Sequence, residues 1–118
     1  MSEITEAPAV AFVRAHMEAY TNGDLDKARG NVADKIQCYT NEIHLDGIAQ
    51  YMEGLARFAA MLEPGSLRVL AARGDKQKAI VMTEHTVGGQ PFASARTFEM
   101  DDTGKIEAER VVFFGPSA

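Results

Sequence analysis

Tryptophan is absent from this chain, cysteine occurs once, and positive charge is scarce. Each shortage excludes something. With Cys38 alone there is no intrachain disulfide, so the fold stands on its core and a reducing, cytoplasmic setting is expected. Twelve Lys and Arg against seventeen Asp and Glu leave a net charge of −5, and the only basic grouping is the scattered Arg73, Lys76 and Lys78. A duplex-binding surface needs concentrated positive charge, so nucleic acid is not an expected partner. No apolar run approaches the roughly 20 residues needed to cross a bilayer, and Met1 to Pro8 is acidic, without the basic flank and apolar stretch of a signal peptide. A membrane is therefore not an expected partner either. His16, His44 and His85 lie too far apart for i,i+2 or i,i+4 ligand spacing, so no metal site is expected. Gly88-Gly89 and Gly115 read as turn glycines rather than a phosphate loop, no nucleophile elbow surrounds Ser94, and no cofactor is expected.

The 118 residues are enough to bury one core, and the proportions (46% apolar, 25% charged) are those of a globular domain. Residues 1–6 read as a loose tail and 7–118 as a single domain. Val10, Val13, Met17 and Tyr20 fall on one face of a helix starting near Pro8, with His16 on that face and Arg14–Glu18 as an i,i+4 pair on the other. Asn22-Gly23 ends it, and Asp24 caps a short helix through about Gly30. Lys35 to Asn41 alternates as a strand, with Ile36, Cys38 and Thr40 against Gln37, Tyr39 and Asn41. Asp46 can cap a third helix with the stripe Ile48, Tyr51, Met52, Leu55, Phe58, Ala59 and Leu62. Glu53 and Arg57 pair on its outer side, and Glu63-Pro64-Gly65 ends it. His44 falls in a loop.

After Gly65 the period becomes two. Leu67–Arg73, Lys78–Val87, Phe92–Met100 and Lys105–Phe114 are separated by turn residues, giving an antiparallel meander. Both faces of several strands are apolar: Val81 opposes Ile80 and Met82, and Val111 and Phe113 oppose Val112. A sheet with one wetted face is normally polar on that side. The second face therefore either meets another copy across a two-fold axis, giving a homodimer through the sheet, or carries ordinary exposed β-branched residues. Helices first and strands last make this an α+β chain, a curved sheet wrapped on helices with a pocket between the layers.

Two stretches carry a family resemblance: Ala11 to Lys27, ending Tyr-Thr-Asn-Gly-Asp-Leu-Asp, and Ser94 to Gly115 around Asp102-Thr103-Gly104-Lys105-Ile106. The chain resembles the nuclear transport factor 2-like superfamily, which includes SnoaL-like cyclases, ketosteroid isomerases and small epoxide hydrolases. That resemblance implies a cone-shaped α+β barrel with N-terminal helices packed on a curved, mainly antiparallel sheet. It also implies a dimer and a mostly apolar pocket; the ligand expected there is small and apolar or aromatic, with one end polar or anionic. Ketosteroid isomerases use a carboxylate base with a Tyr and a protonated Asp as oxyanion donors. Counting from Gly23 and Gly104, those three positions fall on Thr40, His16 and Arg96, and a threonine cannot shuttle a carbon-bound proton. The Asp–Arg–Asp set of the epoxide hydrolases falls on Val87, His85 and Val111, while Tyr39 and Asn41 resemble that family's water-holding pair. The pocket histidines of the dehydratases have counterparts in His16 and His85, with Tyr20 or Tyr39. The carboxylate of the cyclases has one in Glu109 or Glu84.

The strand parity that the resemblance implies turns Phe92, Ser94, Arg96 and Phe98 inward, with Val81, Thr83 and His85 beside them. A turn centred on Asp102-Thr103 sets Arg96 opposite Glu109, and one more turn residue would set it opposite Arg110. A buried guanidinium needs an anion. Either Arg96 and Glu109 satisfy each other and close the pocket, or Arg96 with His16 grips an anionic group or a developing oxyanion. The candidate catalytic residues are thus His16, Arg96 and His85. The candidate ligand-binding residues are Tyr20, Thr40, Tyr51, Phe58, Thr83, Phe98, Glu109 and Phe113. Two functions stay open: a cofactor-independent isomerase, dehydratase or cyclase acting by proton transfer, and a non-catalytic binding or dimerisation module.

Overall fold

Pro8, the first helical residue, lacks an amide hydrogen that a helix start would leave unused, and it opens α1 (Pro8–Thr21). The structure, a computed structural model, describes residues 6–116. Of the expected tail, residues 1–5 lie outside the described residues. Glu6 is described, and it carries a correction: Arg14 pairs with Glu6 and not with Glu18. Gly23, at φ 84°, turns the chain, and the Asp24 carboxylate accepts from the Lys27 amide at 3.1 Å to cap α2 (Leu25–Gly30).

Next come β1 (Val32–Tyr39), a short β2 (His44–Asp46), α3 (Gly47–Ala59), β3 (Arg68–Gly74), β4 (Lys78–Val87), β5 (Gln90–Met100) and β6 (Ile106–Pro116). His44 therefore belongs to a strand rather than a loop: it pairs with Tyr39 across β1–β2, its ring stacked at 4.4 Å on the Tyr39 ring. Asp46 does not cap α3 with its side chain. Its carboxylate accepts instead from Gln37 Nε2 at 2.7 Å. Glu53 and Arg57 form the expected pair at 2.9 Å.

The six strands form one curved sheet in the order β2-β1-β6-β5-β4-β3, antiparallel throughout except where β1 runs parallel to β6. Helix α1 packs on β3 and β4, and α3 on β1 and β2. Between them lies the core of Val10, Val13, Met17, Tyr20, Ile36, Tyr51, Leu55, Val81, Phe98 and Ile106. This is the expected α+β architecture, with the helices covering one face of the sheet.

The β5–β6 register corrects an expectation. Arg96 faces Val111, and Glu109 faces Phe98. The turn is longer than a two-residue reversal, closing with the Asp101 amide on the Lys105 carbonyl at 2.7 Å, and an irregularity after Glu99 adds a further residue. A slip of two leaves every side chain on its original face. Arg96 and Glu109 thus still share the inner face, as diagonal rather than direct neighbours.

Candidate functional site

Five side chains from four elements and a connecting loop form one buried polar chain between the layers. Arg96 Nη1 donates to Glu109 Oε2 at 3.1 Å, and the Tyr51 hydroxyl donates to Glu109 Oε1 at 2.9 Å. His16 Nε2 lies 2.9 Å from the same hydroxyl oxygen, and His16 Nδ1 lies 3.3 Å from Asn31 Nδ2. Since Tyr51 spends its proton on Glu109, the imidazole donates through Nε2, and a neutral ring then accepts at Nδ1 from the Asn31 amide. Burial, with the Arg96 charge nearby, holds the His16 pKa down to about 3, so the ring is neutral. Burial pushes the Glu109 carboxyl up, while Arg96 and Tyr51 pull it back. Burial also pushes the Cys38 thiol up to about 12, with Glu109 adding to the shift, which leaves it inert as a nucleophile.

A second histidine faces the interior separately. Thr21 Oγ1 donates to the Met17 carbonyl at 2.6 Å and lies 3.0 Å from His85 Nε2. Having one proton, already committed, Thr21 can only accept from His85. The hydrogen is therefore on Nε2 and the lone pair on Nδ1. Burial, then Arg96, holds this ring's pKa down to about 4. His85 lines a cavity of about 330 Å³ with Phe58, Met61, Leu62, Val87, Phe92, Ser94 and Phe113. A smaller cavity of about 220 Å³ is walled by Cys38, Thr40, Tyr51, Phe58, Arg96, Glu109 and Phe113, among others. Phe58 and Phe113, their ring centroids 5.6 Å apart, belong to both.

Most of the expected site residues converge here. His85, Arg96, Thr40, Tyr51, Phe58, Glu109 and Phe113 all line one cavity or the other. His16 lines neither cavity; it is wholly buried, with both ring nitrogens engaged. Phe98 is core, and Thr83 is sealed against Ser94 at 2.9 Å, so neither lines these two cavities. Tyr20 is core too, its hydroxyl buried without a partner among the described residues. Glu84 bonds outward to Arg68 at 3.2 Å, which removes it as a pocket carboxylate. Tyr39 is exposed and stacked on His44, and Asn41 bonds the Phe113 backbone, so neither resembles a water-holding pair. Asn31 and Thr21 were missed by sequence reasoning. Thr21 carried a weak signal, one helical turn past Met17 on the buried stripe; Asn31, just beyond α2, carried none.

No protein-family profile matches the sequence, and no curated relative does. Among solved structures, a protein from Kribbella flavida DSM 17836 is similar at 28% identity and TM-score 0.81, covering 90% of this chain and 86% of its own. An NTF2-like protein from Cytophaga hutchinsonii ATCC 33406 gives 14% identity and TM-score 0.76, with 94% of each chain covered. An LEH-like epoxide hydrolase from M. tuberculosis gives 20% and 0.73, covering 90% of this chain and 82% of its own. The fold is thus that of the nuclear transport factor 2-like superfamily. Among the described residues no helix is long and apolar enough to cross a membrane, and no three His, Cys, Asp or Glu side chains cluster as metal ligands.

Proposed function

We propose that this protein binds a small apolar molecule in the His85 cavity and transfers a proton on it without a cofactor, in isomerase, dehydratase or cyclase fashion. The observation that carries this is the fixed tautomer of His85. Its Nε2–H is tied to Thr21, its Nδ1 lone pair is left for a substrate, and no carboxylate lines the same cavity. A positioned base contributes in proportion to its geometry first and its pKa second. A weak base in an apolar site suffices where a strong donor stabilises the oxyanion. Arg96, on the wall of the adjoining cavity, is the candidate donor to the polar end of the ligand, and His16 becomes a positioning residue acting through Tyr51 and Glu109. The resemblance to small epoxide hydrolases implies carboxylates at positions where this chain has Val87 and Val111, so carboxylate activation of water is not part of the proposal.

The test is solvent deuterium incorporation into a panel of small apolar ketones, followed by NMR in heavy water. Wild type is expected to exchange the α-proton, and His85→Gln, which retains an N–H for Thr21, to lose more than about a hundredfold, within the range given by general base catalysis. Equal rates in both proteins would remove His85 from the chemistry. A second reading, binding without turnover, is favoured by the Arg96–Glu109 pair itself, sealed at 3.1 Å. Saturable ketone binding with no exchange would select it.

We also propose a second copy as partner. Leu70, Ile80, Met82, Val112 and Phe114 are exposed on the outer sheet face, flanked by the mixed-charge pairs Lys78–Glu99 and Arg68–Glu84. An apolar centre with both signs at its rim suits a two-fold contact. Light scattering should give a dimer for wild type and a monomer for Met82→Lys; a wild-type monomer refutes it.

A further inference from the structure

The Arg96 guanidinium is only half used. Glu109 occupies Nη1, whereas Nε and Nη2 are buried with no partner among the described residues. These two nitrogens form one edge of the guanidinium, their N–H bonds parallel, which is the geometry that grips a carboxylate with two hydrogen bonds at once. A buried donor left unpaired is costly, and two sit here on one side chain. The faces of Phe58 and Phe113 stand against the group, with Arg96 Cζ 5.4 and 5.6 Å from the two ring centroids. Those rings, together with Met61, line both the cavity of about 330 Å³ and the cavity of about 220 Å³. The rings that stand against the guanidinium therefore also belong to the wall the two cavities share.

We infer that the ligand of this pocket is an aryl or comparably apolar carboxylate. Its carboxylate pairs with the Nε–Nη2 edge of Arg96 once the shared Phe58–Phe113 wall swings aside and joins the two cavities. This rests on the reading of the His85 cavity as a ligand site and adds the chemical class of the ligand. The apolar body replaces the aromatic contacts that the rings gave the guanidinium and extends toward His85. Glu109 already offsets the guanidinium charge, so affinity comes from two-point geometry together with burial of the apolar body. A bare anion such as acetate is then expected to bind far more weakly than phenylacetate.

Calorimetric titration with phenylacetate, phenylacetamide and acetate tests this. Wild type is expected to bind phenylacetate at least about tenfold more tightly than the neutral amide, a difference of 1.4 kcal/mol. Phe58→Ala, which thins the shared wall, should tighten phenylacetate binding. Arg96→Lys, which keeps the charge but loses the two-nitrogen edge, should abolish the preference over the amide. Should Arg96→Lys fail to fold, nitrogen-15 arginine labelling of the wild-type protein supplies the same readout: the Arg96 Nε–H resonance should shift with phenylacetate and stay still with phenylacetamide. Equal binding of acid and amide, or an unmoved Nε–H resonance at saturation, would overturn the carboxylate assignment while leaving the cavity a ligand site. No binding of either compound by wild type or Phe58→Ala would overturn both readings.

Discussion

Tyr51 on α3 and Glu109 on β6, 58 positions apart in the chain, share a buried hydrogen bond of 2.9 Å. That bond ties helix to sheet and also orders the His16 ring, which leans on the same hydroxyl oxygen. Tyr51→Phe would leave a carboxylate oxygen and the His16 Nε2–H without partners in a dry interior. A stability loss of about 3 kcal/mol is expected, measured by urea unfolding. A loss below about 1 kcal/mol would mean the polar chain is wetter than its burial implies.

Tyr20 gives the opposite case. Its ring packs edge-on to His16 at 5.5 Å and beside Phe58, but its hydroxyl is buried with no partner among the described residues. Removing an unsatisfied hydroxyl removes a desolvation cost and keeps the packing. Tyr20→Phe should therefore raise stability by about 1 kcal/mol. Destabilisation in thermal melts would show that the hydroxyl has a partner.

The Arg96–Glu109 pair is almost fully enclosed, with side-chain exposures of 3% and 4%. Breaking such a pair leaves one bare buried charge, at a cost of about 3–5 kcal/mol. Arg96→Met and Glu109→Met alone should each fall in that range, and the double variant should lose less than the two losses added. A double-mutant cycle of denaturation free energies checks this, and simple additivity would mean that the pair is not coupled.

Stability should respond to acid earlier than carboxylates alone would cause. His16 and His85 are held to about 3 and about 4 by burial, with Arg96 adding to the effect, whereas in the unfolded chain each titrates near 6.5. Between roughly pH 6.5 and 4 the unfolded state binds the extra protons, so stability rises with pH through that window and is complete above it. Two such groups give a slope of up to about 2.7 kcal/mol per pH unit. The raised carboxyl of Glu109 works the other way, its contribution present at low pH and lost as pH rises through its folded value, so the net slope is shallower. His85→Gln should reduce the slope by close to one proton; an unchanged slope would place the His85 ring in water.

Much of this was legible from local pattern. The α1 and α3 stripes, the Asp24 cap and the β4 boundaries follow from period and turn chemistry, which neighbouring residues alone decide. The inward set of Arg96, His85 and Glu109 follows from strand parity combined with family resemblance, and a register offset of two residues leaves that parity intact. The offset itself has no local signal: Asp101–Lys105 closure and the irregularity after Glu99 depend on how β6 meets β1 and β5. Arg14 pairs with Glu6, eight positions back and ahead of the helix, rather than with Glu18 one turn further along it.

The order of residues determined which faces would be dry, since apolar spacing along a helix or strand is a property of the chain alone. It could not determine which polar groups would share that dry space. Whether His16 opens onto a cavity or is locked between Tyr51 and Asn31 depends on the approach of α3 and of the loop after α2, segments far apart in the chain. The same holds for Arg96, whose two unpaired nitrogens emerge only once Glu109 arrives from a neighbouring strand and Phe58 from a helix. Hydrogen bonds are settled by distance and angle in space, so the site's chemistry was decided by packing.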